Sequence, residues 1–461
     1  MGAEPGPAAR AGDTGRDGAE AGNTATRPLR VETATRPLRV AVDARLEDGR
    51  AGGVQQYVLG LAAALCELDD GDESYEFLGE PGQQAWLTPY LSGDWRFIPP
   101  LAAGAPPPSG AAALRRAIGQ RLPVARTAWR RLARRGRPES VVVATSDGTL
   151  EGSGVDVVHF AFQGAFRTAV PSVYQPWDLQ HVHLPEFFSD VQRRWRDAAY
   201  GAFCEQAALV VVASEWARGD VATHLGVPRE KIAVVDVPPV VRAYPVPDAA
   251  AIEATRTALD LPARFAYYPA QAWPHKNHIR LLEAIARLRD RDGIRVDLVC
   301  SGGQNEHFAE VERVMRRLGL QDQVRFIGFV EPIAVQALYR LARLMVFPSL
   351  FEGWGLPIVE AFAVGLPVAC SNVTSLPDLV GDAALTFDPL DVDAMATAIG
   401  SLWEDDARCA TLAERGRRVV DRFDWGETAR TLRAHYRSIG GRPLDEADRA
   451  RIARSLGPDG R

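Results

Sequence analysis

Short, almost wholly apolar runs recur along the chain, separated by stretches in which apolar residues return every three or four positions. The run at 38–43 leads through a glycine-rich turn into Val54, Val58, Leu61, Leu65 and Leu68, which share one face of a helix. Comparable runs at 155–159 and 209–213 follow, and the second continues into Ser214-Glu215-Trp216, a helix start. Beyond residue 263 the alternation resumes, with strands predicted at 265–268, 296–300, 324–327, 344–347 and 367–370 and helical spacing between them, as at 279–288. Runs this short and this apolar suit strands covered on both faces, so the pattern predicts an α/β protein with parallel, doubly wound sheets.

The same pattern sets the domain limits. Residues 1–37 hold almost no large apolar side chains, so burial cannot offset the entropy of ordering them, and a disordered tail is expected. An octet from Thr24 is repeated from Thr33, but only the second copy runs into a strand. A first Rossmann-like domain is predicted over 38–245, a proline-rich link with a short helical stretch over 246–262, and a second domain over 263–425. Residues 426–461 then form a crossover helix and tail.

Composition narrows the class. A chain of 461 residues with 46% hydrophobic content fits two folded domains, and a net charge of -6 gives no reason to expect a nucleic-acid partner. Five scattered cysteines without a Cys-x-x-Cys pair suggest neither a disulfide framework nor a zinc site. No run reaches the roughly 18 apolar residues of a membrane span, and the N-terminus lacks a signal-peptide core, so a cytoplasmic location is expected. The segment from Leu114 to Arg137 carries nine arginines and no acid. It reads either as a peripheral contact with anionic lipid or as a solvated excursion of the first domain.

The chemistry concentrates in residues 349–362. Here an apolar strand ends at Ser349, Gly353 and Gly355 permit a tight turn, and Pro357 suits the start of a helix. The unpaired N–H groups and positive end of such a helix attract phosphate. Two acids, Glu352 and Glu360, flank this site. Carboxylates beside a phosphate make sense when they accept hydrogen bonds from hydroxyls on either side of a pyrophosphate, the layout of a nucleotide sugar. The plain alternative is a solvated loop acid and an ordinary surface helix residue.

At this point the sequence resembles the retaining glycosyltransferases of family four, which share the GT-B fold of two facing Rossmann-like domains. The likeness covers about residues 38 to 437. Gly52 to Tyr57 is similar to the family's first glycine-rich loop, Tyr268 to Asn277 to its donor-phosphate loop, and Phe351 to Ala361 to its two-glutamate motif. The stretch from Pro176 to Phe188 resembles a mannosyltransferase subgroup. The resemblance implies transfer of a hexose, mannose first, from a nucleoside-diphosphate sugar to a hydroxyl on a glycan, lipid-linked sugar or small metabolite. No metal or other cofactor is implied. A nucleotide-sugar-binding protein with little activity and a nucleotide-sugar epimerase are the alternatives.

On these positions the resemblance implies that Lys276 and Glu352 are catalytic. Gly53, Gln271, Leu356, Gly353, Gly355 and Glu360 would line the donor pocket, with Phe329 and Val330 near the base. Gln271 departs from the pattern, standing where relatives commonly carry an arginine, so one charge on the phosphates is replaced by a neutral amide. On the acceptor side Asp178, His181 and His183 share one loop, and His181 is assigned a role near the transferred sugar. The pair Asp391 and Asp393 has the spacing of a metal-binding Asp-x-Asp, but lies at a helix start where acids serve as caps.

Overall fold

The computed structural model describes residues 36–48, 52–79, 82–93, 95–99, 141–242, 244 and 246–457. The tail and the arginine-rich segment from Leu114 to Arg137 lie outside the described residues. Two sheets organise the rest. The first has seven strands, β1 (Leu38–Asp43), β2 (Glu73–Leu78), β3 (Trp95–Ile98), β4 (Val157–Phe160), β5 (Ser172–Tyr174), β6 (Leu209–Val212) and β7 (Ile232–Val234), in the order β3-β2-β1-β4-β5-β6-β7. The second has six, β8 (Ala266–Pro269), β9 (Leu298–Ser301), β10 (Val324–Phe326), β11 (Leu344–Phe347), β12 (Val368–Ser371) and β13 (Leu385–Phe387), in the order β10-β9-β8-β11-β12-β13. Every pairing of these strands is parallel.

Period-two alternation explains why the strands carry core on both faces. Along β1, Val40 and Val42 enter one apolar cluster while Ala41 between them enters the other, with Val158 and Val210. The longer helices are α1 (Gly53–Cys66), α2 (Asp190–Gln206), α3 (Glu215–Leu225), α4 (Ala249–Ala258), α5 (His278–Asp290), α6 (Phe308–Arg317), α7 (Pro332–Leu341), α8 (Leu356–Val364), α9 (Val392–Glu404), α10 (Asp406–Val420), α11 (Trp425–Ile439) and α12 (Glu446–Leu456). Ser214 caps α3 by accepting the Ala217 N–H at 3.1 Å, the start its sequence predicts. Asp391 likewise caps α9 through the N–H groups of Asp393 and Ala394.

In each sheet the chain builds outward in one direction and then returns to build in the other, so strand order reverses beside β1 and beside β8. Loops leaving the carboxyl ends of the strands on either side of such a reversal diverge and leave a crevice. In the second sheet these are the loops after β8 and β11, which carry Gln271, Lys276 and Glu352. In the first sheet the loop after β1 carries Gly52.

Residues 246–262 are more than a link, since α4 packs on α7 of the second domain. The closing segment holds two helices. Helix α11 lies on α1 of the first domain, and α12 packs on α11 and β7. Trp425 at the start of α11 donates to the Pro239 carbonyl at 3.3 Å, and Arg437 pairs with Glu73 of β2 at 2.5 Å, a carboxylate only 3% exposed. The α1–α11 contact depends on Gly60, where a β-carbon would overlap the Trp425 ring. Gly60→Ala should therefore destabilise the protein by about 1–3 kcal/mol despite alanine's better helix propensity, checked by urea unfolding.

Candidate functional site

The loop after β8 does not run straight into a helix. Pro274–Lys276 forms a separate 3-10 turn, and Asn277 then takes a left-handed conformation with φ of 60° before α5 begins at His278. Lys276 therefore lies on the 3-10 turn, outside the helix and just before its N-cap. Asparagine tolerates this backbone geometry, and its buried amide donates to the carbonyls of Pro348 at 3.0 Å and Pro389 at 2.8 Å. The Leu350 N–H donates to the His275 carbonyl at 2.7 Å. These bonds staple the loop after β8 to the loops after β11 and β13.

The staple brings Lys276 Nζ to 2.5 Å from Glu352 Oε1, with both side chains mostly shielded from water. The ammonium also lies 5.4 Å from the centre of the Phe347 ring. Behind Glu352, the Thr374 hydroxyl accepts from its N–H at 3.1 Å and lies 2.8 Å from its carbonyl, and Ser375 donates to that carbonyl at 3.0 Å. Both ends of the ion pair are thus held by backbone bonds.

Gly353 and Gly355 have distinct roles. Gly355, at φ 114°, is the residue before α8, and a β-carbon there would press on Leu376 and Leu379. Gly353 is needed for close approach, because a β-carbon would overlap the carbonyl oxygen of Trp177 in the first domain. Trp177 itself has φ 68°, unusual for a bulky residue. Ser214 at the α3 cap donates to the Gly353 carbonyl at 3.0 Å, and buried Trp354 donates to the Val237 carbonyl at 3.1 Å. The loop bearing Glu352 is therefore seated against the first domain.

From the other side, the glycine-rich turn of the first domain approaches closely. A β-carbon on Gly52 would lie 3.2 Å from Gln271 Nε2, and one on Gly53 would lie 3.6 Å from Leu356. Gln271 accepts from Trp273 Nε1 at 3.0 Å. Phe329 is 56% exposed, next to Gly328 whose carbonyl accepts from Gly302, while Val330 packs partly into the core.

Glu360 follows Leu356 by one helical turn and is only 9% exposed. The surface-residue alternative is thereby removed. Its carboxylate accepts from the Tyr339 hydroxyl at 2.8 Å, and burial lifts its pKa to about 7, the hydroxyl holding it lower than burial alone would. Tyr244 and Tyr267 lie within its electrostatic reach.

The structure buries His181 inside the first domain. Residues 180–183 form one helical turn, in which positions two apart face opposite ways. His181 points inward, 2% exposed, with its ring 5.2 Å from Tyr200 and its Nε2 3.1 Å from Asp197. Burial and then the Arg196 charge lower its pKa to about 4. His183 points outward onto Phe351, at 5.0 Å between ring centres. Asp178 is the better-placed group: burial raises its pKa, and the charges of both Glu352 and Lys276 reach it. Nothing in its sequence context ranked it above its histidine neighbours. The Asp391–Asp393 pair is occupied otherwise, Asp391 as a cap and Asp393 by Arg287 and Arg291.

Comparison with known proteins assigns the architecture. A family model described as Glycosyltransferase Family 4 matches residues 51–236, and one described as Glycosyl transferases group 1 matches residues 253–419. The chain is 29% identical to O-antigen chain mannosyltransferase B of Escherichia coli over 259 residues, 56% of this chain and 68% of that protein. It is 28% identical to a D-inositol 3-phosphate glycosyltransferase of Corynebacterium glutamicum over 280 residues, 56% of this chain and 67% of that protein. The chain is a GT4-like glycosyltransferase of GT-B fold. The fold of this glycosyltransferase matches that of Anabaena HepE, solved in complex with UDP and glucose, with a TM-score of 0.62 at 17% identity over 87% of this chain and 100% of that one. The GT-B arrangement expected from the sequence is the arrangement found. Among the described residues no helix is long and apolar enough to cross a membrane.

Burial of Glu360 has a measurable signature in the ligand-free glycosyltransferase. Its folded pKa lies above the ordinary 4.5, so the folded state keeps a proton that the unfolded chain has released, and stability falls as pH rises from about 4.5 to 7. The shift corresponds to about 3 kcal/mol. Glu360→Gln should therefore unfold at higher denaturant concentration than the parent at pH 8, with the difference vanishing near pH 4.5.

Proposed function

We propose that this enzyme is a retaining mannosyltransferase that uses a nucleoside-diphosphate mannose. The observation that carries the proposal is the Lys276–Glu352 pair, held where strand order reverses, on loops whose Gln271 and Leu356 meet Gly52 and Gly53 of the first domain. Departure of a nucleoside diphosphate leaves growing negative charge on its β-phosphate, and a fixed ammonium beside a helix N-terminus stabilises that charge more in the transition state than in the ground state. When the diphosphate takes Lys276, Glu352 is released to accept hydrogen bonds from the hydroxyls of the sugar. Glu360, one turn into α8, is placed to accept from the ribose, which would return to it the hydrogen bonds lost on burial. The likeness to an O-antigen mannosyltransferase supports mannose as the sugar. Retention follows from front-side attack, in which the leaving phosphate takes the acceptor proton, and it leaves no obligatory task for a protein base.

The acceptor side is read from a cleft of about 580 Å³ at the ends of β1 and β2, lined by Arg45, Asp48 and Gln84 among others. Gln55 of α1 donates to Asp48 at 2.8 Å, which ties this cleft to the helix that starts at Gly53. Arg45 is neutralised by a two-pronged pair with Asp43, at 2.8 and 2.6 Å. With its cation matched and Glu47 and Asp48 beside it, the cleft favours a neutral, hydroxyl-rich acceptor over a phosphorylated one.

The test is turnover of a panel of nucleoside-diphosphate sugars against neutral mannosides and sugar phosphates, with the anomer of the product read by NMR. A mannosyl donor, a neutral acceptor and an α-product from an α-donor are expected; inversion or exclusive use of phosphorylated acceptors would overturn the respective part. Lys276→Ala and Glu352→Gln should each lower kcat by about 100-fold or more, the scale of losing one charge-stabilising contact, while the folded melting profile persists.

A further inference from the structure

Outside the donor crevice, His183, Asp220 and His224 converge on the wall of the first domain. Asp220 and His224 are four residues apart on α3 and share its face, and His183 reaches them from the single turn at Gln180–His183. His183 Nε2 lies 2.6 Å from Asp220 Oδ1, and His224 Nδ1 lies 2.9 Å from the same oxygen. One ligand atom from each residue falls within 4.8 Å of the others. The Asp220 side chain is 4% exposed, and its second oxygen, Oδ2, is buried without a hydrogen-bond partner. The two imidazoles are about one-third exposed, so the site opens to solvent on the histidine side.

We propose that these three residues form a binding site for a divalent transition-metal ion of the zinc class, with water completing its shell. Two imidazole nitrogens and a carboxylate are a borderline-soft donor set suited to zinc, cobalt or nickel and poorly suited to magnesium or calcium. Metal–nitrogen bonds of about 2.0–2.1 Å in a tetrahedron place ligand atoms about 3.3 Å apart, so the rings need to draw back by only about 0.5 Å. Each imidazole then carries its proton on the other nitrogen, and the metal gives the carboxylate a full partner in place of two protons crowded on one oxygen. The competing arrangement is a hydrogen-bonded triad without metal. His224 Nδ1 also lies 3.1 Å from the Asp220 carbonyl, which gives its proton a second acceptor in that case.

The ion would join α3 to the loop that carries Asp178 and so fix the seat of Phe351, the residue before Glu352. The Phe351 ring lies 5.0 Å from His183 and 5.4 Å from Trp216, both in the first domain. Its role is to brace the contact between domains, and it takes no part in the diphosphate chemistry.

The experiment uses the full chain without a polyhistidine tag, stripped with chelator and titrated with zinc by calorimetry and with cobalt by visible absorption. One equivalent per chain is expected, with d–d bands of a low-symmetry site. His183→Ala and His224→Ala should each weaken zinc binding at least tenfold; both positions are exposed enough for the fold to survive, which a thermal melt verifies. Asp220→Asn, which keeps the shape and removes the charge, should weaken it as well. Absence of saturable binding to the parent chain, or affinity equal to the parent's in both histidine variants, would overturn the site. Neither result bears on the donor crevice, whose residues are untouched.

Discussion

The crevice depends on holding an ammonium and a carboxylate together on two loops that leave adjacent strands in opposite directions. Lys276 and Glu352 come from β8 and β11, neighbours in the sheet but far apart in sequence. Their loops would diverge without the Asn277 amide and the Leu350–His275 backbone bond that join them. In the ligand-free protein each charge neutralises the other, which keeps the pair from the cost of an isolated shielded charge. On the proposed function, a diphosphate replaces the carboxylate as partner of the ammonium, so that binding exchanges one ion pair for another and frees Glu352 for hydroxyls.

The same loop forms the seam between the domains. Gly353 permits the Trp177 carbonyl to approach, Ser214 and Val237 engage the loop's backbone and Trp354, and Phe351 lies between His183 and Trp216. The proposed donor contacts and the seating of the domains are thus built on consecutive residues. Helix α11 completes the seam by returning to α1, and Thr428 donates to the Asp236 carbonyl at 3.0 Å.

The central strands were legible because burial on both faces writes an unbroken apolar run, as in Leu209–Val212 and Leu344–Phe347. Strand β3 at the sheet edge and β2 beside it carry Glu73, Glu76 and Arg96 among their apolar residues and were not anticipated, nor were the three-residue edge strands β7 and β13. The donor loop was legible through glycine spacing, since backbone geometry at Gly353 and Gly355 is a local demand. The inward face of His181 was not legible, because a four-residue turn offers no periodicity from which to read it. Glu360 left a signal that was underused: α8 is otherwise wholly apolar, and a lone acid in such a helix is a buried acid. The partners of these groups, Tyr339, Thr374, Ser375 and Ser214, come from distant segments, and only the fold brings them together.

The most direct measurement is a crystal structure of the enzyme with an intact nucleoside-diphosphate sugar. The expected result has the β-phosphate on Lys276 Nζ and the first turn of α8, Glu352 turned to the sugar hydroxyls and Glu360 on the ribose. A diphosphate bound away from Lys276, with the Lys276–Glu352 pair intact, would contradict the assignment of this crevice as the donor site.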